Sequence, residues 1–394
     1  MVQFASRMDL LKGSEIRELL KLTAQPDILS FAGGMPAPEL FPVEQMMEAS
    51  IAVLKEHGRE ALQYSTTEGF PRLREQIAER MLAKNNIHTD KDHILVTSGS
   101  QQGLDFSARV FLNPGDVVLL ESPSYLGAVN AFKACEPKFI EVPTDDGGMI
   151  MDELEKILAT TERVKMIYVI PDFQNPTGRT WDLDRRHKFM EIINRYEIPV
   201  IEDNPYGELR FRGEFLPALK TLDTKDLVIY LGTFSKIFAP GYRLGWMCCG
   251  LDVFDKMTLI AQAAVLQTST ISMMVVSKYL EMFDIDEHVE KIRETYRHRC
   301  DLMISTMEEC FPKEAKFTHP EGGLFTWVEM PEYVNTREMA AEALSLNVAF
   351  VPGDGFFPNG DNFHCLRMNY STMPDDRIVE GVKRMAEVMK KYIK

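Results

Sequence analysis

DLVIYLGTFSKIFAPGYRLG, residues 226–245, opens with five large apolar residues (Leu227 to Leu231) and breaks at Gly232. It then delivers Thr233, Ser235 and Lys236 before a Pro240-Gly241 turn and Arg243. A run rich in β-branched and large apolar residues, bounded by Gly and Pro, predicts a strand in the middle of a sheet. Lys236 therefore falls where that strand leaves the sheet, beside hydroxyls and a second cation. A lysine so placed loses hydration, which lowers its pKa and frees the amine as a nucleophile, the state needed to form a Schiff base with an aldehyde. Most lysines that follow a strand are solvated surface groups, so the chemical reading depends on what the rest of the chain brings to this point.

Outward from this stretch, strands and helices alternate. Strands are predicted at 94–97, 117–120, 138–142, 166–170, 200–202, 227–231 and 244–249, with helices at 100–111, 124–135, 151–159 and 183–196 between them. This spacing implies an α/β domain with a mostly parallel central sheet, whose ligand lies beyond the carboxyl ends of the strands. Helices are also expected at 43–57 and 69–84. Ahead of them, FAGGMPAPELFP (31–42) is an extended arm in which glycines and prolines forbid helix, and Ser14 to Leu20 is a short amphipathic helix. A helical stretch at 253–280 and a long helix at 286–310 lead to a smaller α+β domain with strands at 324–329 and 366–370 and a last helix at 375–392. The expected division is 1–45 as arm and part of the small domain, 46–285 as the large domain and 286–394 as the small one.

At 394 residues, 45% of them hydrophobic, the chain suits two cores. A net charge of −15 argues against nucleic acid or an anionic membrane as partner. No run of about 18 uncharged apolar residues occurs, which excludes a membrane helix. The six cysteines have no CxxC spacing and the eight histidines no HxH or HExxH spacing, so no metal site is expected and a reducing cytoplasm is the expected location.

Several predicted strand ends carry chemistry. Thr97 to Gly103 is a small-residue turn into a helix, whose free N–H groups at Ser100 and Gln101 suit a phosphate; Gly-Ser turns without function are common. Asn175, in Gln174-Asn175-Pro176-Thr177-Gly178, can donate to a phenolate-type oxygen or simply make a turn. Asp203 ends a buried strand, where a carboxylate needs a cation or donors. It either pairs with a protonated ring nitrogen or caps its loop, and Tyr206 three residues on can face the same ligand. Arg243 can clamp a phosphate with its planar fork. Arg367, on an apolar strand, needs an anion: a substrate carboxylate or a structural Asp or Glu. Tyr125 can stack on a ring or merely pack.

These stretches, together with SFAGGMPAPELFP, LQYSTTEGFPRLR, GGLFTWVEMP, VAFVPG and LRMNYS, resemble in order, over nearly the whole chain, the motif series of fold-type I pyridoxal-phosphate aminotransferases. The similarity is greatest to the branch of 2-aminoadipate and broad-specificity aminotransferases, which also contains the aminotransferase-like half of MocR-type regulators. The resemblance implies pyridoxal 5′-phosphate as cofactor and Lys236 as its Schiff-base lysine and proton-transfer base. Asp203 is then the partner of the ring nitrogen, and Asn175 and Tyr206 bond the ring oxygen. Tyr125 stacks on the ring, and Ser100, Gln101, Thr233, Ser235 and Arg243 surround the phosphate. Tyr64 reaches the site of the neighbouring subunit in a homodimer. Arg367, aided by Gly34, takes the α-carboxylate, and Arg17 lies on an N-terminal helix that meets the substrate side chain. Asn204-Pro205-Tyr206 departs from the Asp-Ala-Tyr expected of the aminoadipate type and bears on substrate, not cofactor.

The expected function is transfer of the amino group of an L-amino acid (2-aminoadipate, aromatic or branched-chain) to a 2-oxo acid such as 2-oxoglutarate. A β-lyase using the same cofactor and a non-catalytic ligand-sensing domain are the alternatives.

Overall fold

The computed structural model describes residues 2–11, 27–360 and 362–394. The expected helix at Ser14 to Leu20, and Arg17 with it, lies outside them.

Seven strands form the large sheet in the order Ile94–Thr97, Gly245–Cys248, Val228–Thr233, Val200–Asp203, Val164–Val169, Val117–Glu121, Lys138–Val142. Gly245–Cys248 alone runs against its neighbours, and the other six share one direction. The central sheet is thus mostly parallel, and Val228–Thr233 has a partner on each side.

Apart from Lys165, the inner strands are buried along their length because helices cover both faces of the sheet. The pleat sorts their residues between two layers. Val117, Leu119, Ile167, Val169, Val200 and Val228 pack with Leu154 and Leu158 of helix Met151–Thr160 and with Phe189 and Ile193 of helix Leu183–Tyr196. Val118, Leu120, Met166, Tyr168, Ile201 and Leu231 belong to the other layer, with Leu104 and Ala108 of helix Ser100–Phe111. Each fully buried Val, Leu or Ile contributes about 1.5–3 kcal/mol relative to exposure, so the two layers hold the strand ends rigidly.

Two sequence expectations need correction. Gly232 does not break its strand, which continues through Thr233. A Cβ at Gly232 would lie 2.2 Å from the Trp246 indole, so this glycine makes room for a ring packed on the strand. The helical stretch at 253–280 is two helices, Leu251–Ala264 and Thr270–Met282, separated where Leu266 takes a left-handed φ of 66°.

A second, antiparallel sheet has the order Lys316–Phe317, Phe325–Glu329, Cys365–Asn369, Val351–Pro352. The long helix Ile285–Cys310 precedes it and the helix Asp375–Tyr392 follows. The extended arm joins these elements: Leu29–Ser30 pairs in parallel with Val348–Ala349, and the Asn369 amide donates to the Phe31 carbonyl at 2.9 Å. That pairing carries residues 32–34 toward the carboxyl edge of the large sheet.

Candidate active site

Asp203 is the last residue of its strand, opposite Leu231, and is fully buried. Its Oδ2 accepts a 2.9 Å hydrogen bond from the Tyr168 hydroxyl, and its Oδ1 has no partner. No loop amide bonds to it, so the capping role does not apply. Burial pushes its carboxyl up to about 7, against the opposing pull of Tyr168 and of the Lys236 charge. A buried, unsatisfied carboxylate oxygen is costly unless a cation or donor meets it.

Lys236 leaves the end of Val228–Thr233 through a turn held by Thr233, whose Oγ1 accepts from the Ser235 amide at 3.0 Å and donates to the Leu244 carbonyl at 3.2 Å. The Lys236 side chain is partly exposed, and its Nζ donates to the Gly34 carbonyl at 2.7 Å. Lost hydration, then the charges of Arg367 and Arg243, lower the amine to about 8 against the opposing pull of Asp203. An appreciable share of this amine is therefore free of its proton near neutrality.

Beside it, the N-terminus of helix Ser100–Phe111 has no side-chain cap, and the first amides of a helix have no partner within it. Arg243, in a left-handed conformation at φ 52°, reaches across so that Nη2 donates to the Ser98 carbonyl at 3.3 Å and Nη1 approaches Ser235 Oγ at 3.5 Å. Gly99 is required here: at φ 77°, a Cβ would lie 2.6 Å from Arg243 Nη2. The result is an anion cup of backbone amides, a hydroxyl and a guanidinium.

On the opposite wall, Arg367 Nη1 donates to Asn175 Oδ1 at 2.8 Å and Nη2 to the Ala32 carbonyl at 3.0 Å, while Nε has no partner. Its guanidinium lies 4.2 Å from the Phe325 ring centroid and 5.1 Å from that of Phe356. Among the described residues no Asp or Glu pairs with it, so the structural-partner alternative is not realised. Burial lowers it to about 10. Asn175 Nδ2 donates to Tyr206 Oη at 3.3 Å, and burial raises the Tyr206 phenol. Tyr125 is half-buried at the start of helix Leu126–Lys133, its phenol raised by burial and by the Asp203 charge.

Lys236, Asp203, Tyr206, Asn175, Arg367, Tyr125, Ser235, Arg243, Ser100, Thr233 and Gly34 thus converge. Gln101 does so less fully: its exposed side chain turns away to donate to the Gly127 carbonyl at 2.9 Å. Tyr64 is 77% exposed, and its amide donates to the Gln63 side chain. Sequence reading does not single out Tyr168. The usable signal was a hydroxyl-bearing ring near the carboxyl end of an otherwise aliphatic strand, since a buried tyrosine needs a partner for its O–H.

An amine easily freed of its proton, between an anion cup and a carboxylate with one oxygen spare, suits an enzyme that exchanges amines with carbonyl compounds through a phosphorylated pyridine aldehyde. The residues fit that group: the spare Asp203 Oδ1 would meet a protonated ring nitrogen, and the cup would take the phosphate.

Comparison with known proteins agrees. The family model for aminotransferase class I and II matches residues 27–385. Aromatic-amino-acid aminotransferase 1 of Thermococcus litoralis is 46% identical over 388 residues, 98% of this chain and 93% of that protein. The Pyrococcus horikoshii kynurenine aminotransferase, solved in complex with PMP, kynurenine and its product, superposes with a TM-score of 0.95 at 41% identity, covering 99% and 98% of the two chains. The alpha-aminoadipate aminotransferase of Thermus thermophilus, complexed with N-(5′-phosphopyridoxyl)-L-leucine, gives 0.92 at 40% identity over 99% and 97%. The chain belongs to the class I and II aminotransferases, with their fold type I architecture. It is an amino-transferring enzyme whose cofactor is pyridoxal 5′-phosphate, and neither the β-lyase nor the ligand-sensor alternative is favoured. Among the described residues no helix is long and apolar enough to cross a membrane.

Proposed function

We propose that the chain moves the amino group of aromatic, 2-aminoadipate-type and aliphatic L-amino acids to a 2-oxo acid such as 2-oxoglutarate, with broad choice of donor. The carrying observation is that the Lys236 amine, the spare Asp203 oxygen and the unpartnered Nε of Arg367 lie in one cluster at the strand ends. When bound, the cofactor supplies an electron sink that stabilises negative charge at the substrate's Cα. Lys236 Nζ would hold the cofactor covalently and, when free, would carry the proton taken from Cα. Asp203 would keep the ring nitrogen protonated. Asn175 and Tyr206 would donate to the ring oxygen, and Tyr125 would pack against the ring. Ser100, Gln101, Thr233, Ser235 and Arg243 would hold the phosphate. Arg367 takes the substrate carboxylate with help from Asn175 and the Gly34 backbone, and Arg17 and Tyr64 complete the substrate side.

We further propose a cytoplasmic homodimer in which Tyr64 enters the partner's site, and a division at residues 45 and 285. Val43, Met47, Ile51 and Leu54 form an exposed apolar stripe along helix Val43–Ala61 that continues to Leu62 and Tyr64, as a covered face requires. Initial rates with 2-oxoglutarate and a panel of donors test breadth. Comparable kcat/KM for phenylalanine, leucine and 2-aminoadipate is expected, and turnover of one donor alone overturns it.

A further inference from the structure

We propose that Tyr168 is a positioning residue for the reaction, fixing the Asp203 carboxylate so that one oxygen is bonded and the other is presented to the cofactor's ring nitrogen. This rests on the assignment of Asp203 to that nitrogen. Tyr168 pairs with Ile201 across neighbouring parallel strands, and Ile201 and Asp203, two residues apart, share a face of the sheet. The tyrosine ring therefore lies beside the aspartate by register, without help from any loop. Its position is fixed: it is wholly buried and meets the Phe132 ring edge-on at a centroid distance of 5.6 Å.

The single O–H of Tyr168 donates to Asp203 Oδ2 at 2.9 Å, and Oδ1 on the same carboxylate stays without a partner. A carboxylate that accepts one such bond is held in one rotamer and favoured in its charged form. Burial and the neighbouring Asp203 charge push the Tyr168 phenol well up, so it remains a donor throughout the working range of pH. The other titratable groups that face Asp203 are Lys236, which draws its carboxyl down, and Tyr125 and Tyr206, whose phenols feel its charge. All three lie on loops or turns beyond the strand ends. Only Tyr168 approaches from inside the sheet.

Tyr168→Phe removes one oxygen and keeps the ring packing. Full-length protein is stripped of cofactor, and the Kd for pyridoxal 5′-phosphate is measured by fluorescence from pH 5.5 to 9 for the unaltered chain, Y168F, D203N and the double variant. In Y168F affinity should fall roughly tenfold, the effect of losing one hydrogen bond to a charged group. Affinity is lost as pH drops through the Asp203 titration, and in Y168F that loss should begin at a higher pH. In the D203N background Y168F should change nothing further, because the tyrosine acts only through the aspartate. Tyr168→His, which restores a donor, should recover part of the loss and serves equally should Y168F not fold. Unchanged affinity and pH limb in Y168F, with D203N impaired, overturn the role of Tyr168. Unchanged binding in D203N overturns the assignment of Asp203 on which it stands.

Discussion

Glu202 and Asp203 are adjacent on one strand, point to opposite faces of one sheet, are both fully buried, and both have their carboxyls pushed up to about 7 by burial. They differ in what meets their oxygens. Glu202 Oε1 and Oε2 accept from the amides of Leu219 and Lys220 at 2.7 and 2.8 Å, so both oxygens are bonded and pin the start of the short helix Leu219–Leu222 to the sheet. Asp203 has one oxygen bonded and one free at the mouth of the site. The same contrast separates two buried arginines. Arg186 is bonded to Asp172 through both Nη atoms and to the carbonyls of Trp181, Pro217 and Pro171. Among the described residues Arg367 has no carboxylate partner and its Nε has none of any kind. Depth is common to both pairs. Unsatisfied valence separates the groups that await a ligand from those that already have their partners.

The largest effects should come from the arginines and should fall on different observables. Arg367→Ala is expected to lower kcat/KM for amino acids by roughly 10²–10³-fold, chiefly through KM, the range for losing one side of a buried charge pair. Its urea midpoint should change little. Arg186→Met should leave KM near its original value and cost about 3–5 kcal/mol of stability, because Asp172 then keeps only the longer contacts to Arg210 and Asn204. Reversal of these two signatures breaks the contrast.

The carboxylates sharpen it at somewhat smaller cost. Asp203→Asn should lower kcat by about 10²-fold, as removal of a fixed charge from a reaction centre does, and should weaken cofactor binding. Glu202→Gln should leave turnover close to the original but cost about 1–3 kcal/mol, since an amide nitrogen then faces a backbone N–H.

The smallest effect is on the pH dependence of stability. In the folded chain Glu202 titrates near 7 and not at its ordinary 4.5. Between those values the folded chain holds a proton that the unfolded chain has released, so stability falls as pH rises through that window. Glu121, bonded to Trp181 and also raised to about 7, acts in the same direction. Melting temperatures of Glu202→Gln between pH 4.5 and 7 should show a shallower decline than those of the unaltered chain, and an equal decline refutes the titration.

The alternating strands and helices were legible because each is an apolar run of distinct period closed by turn residues, and the buried strand before Lys236 was the clearest. The misreadings have local causes. Gly232 looks like a stop until Trp246, fourteen residues away and one strand over, is seen to need its space. The break at Leu266 carries no Gly or Pro to announce a positive φ. Within the site, Lys236, Asp203 and Asn175 were legible because they follow or end apolar strands, and Arg367 because a cation in the middle of one is costly without an anion. Tyr168 was not, because a tyrosine inside a strand reads as core until register sets it beside Asp203. Glu202 is not legible for the opposite reason: its partners at 219 and 220 open a short helix that no sequence pattern connects to it.

The central claim is that the amine of Lys236 is the group that joins the cofactor. Borohydride reduction of the cofactor-loaded protein, followed by peptide mass spectrometry, tests it directly. A single phosphopyridoxyl adduct on Lys236, abolished in Lys236→Ala, is predicted. An adduct on another lysine, or none on a chain that retains its transferase activity, contradicts it.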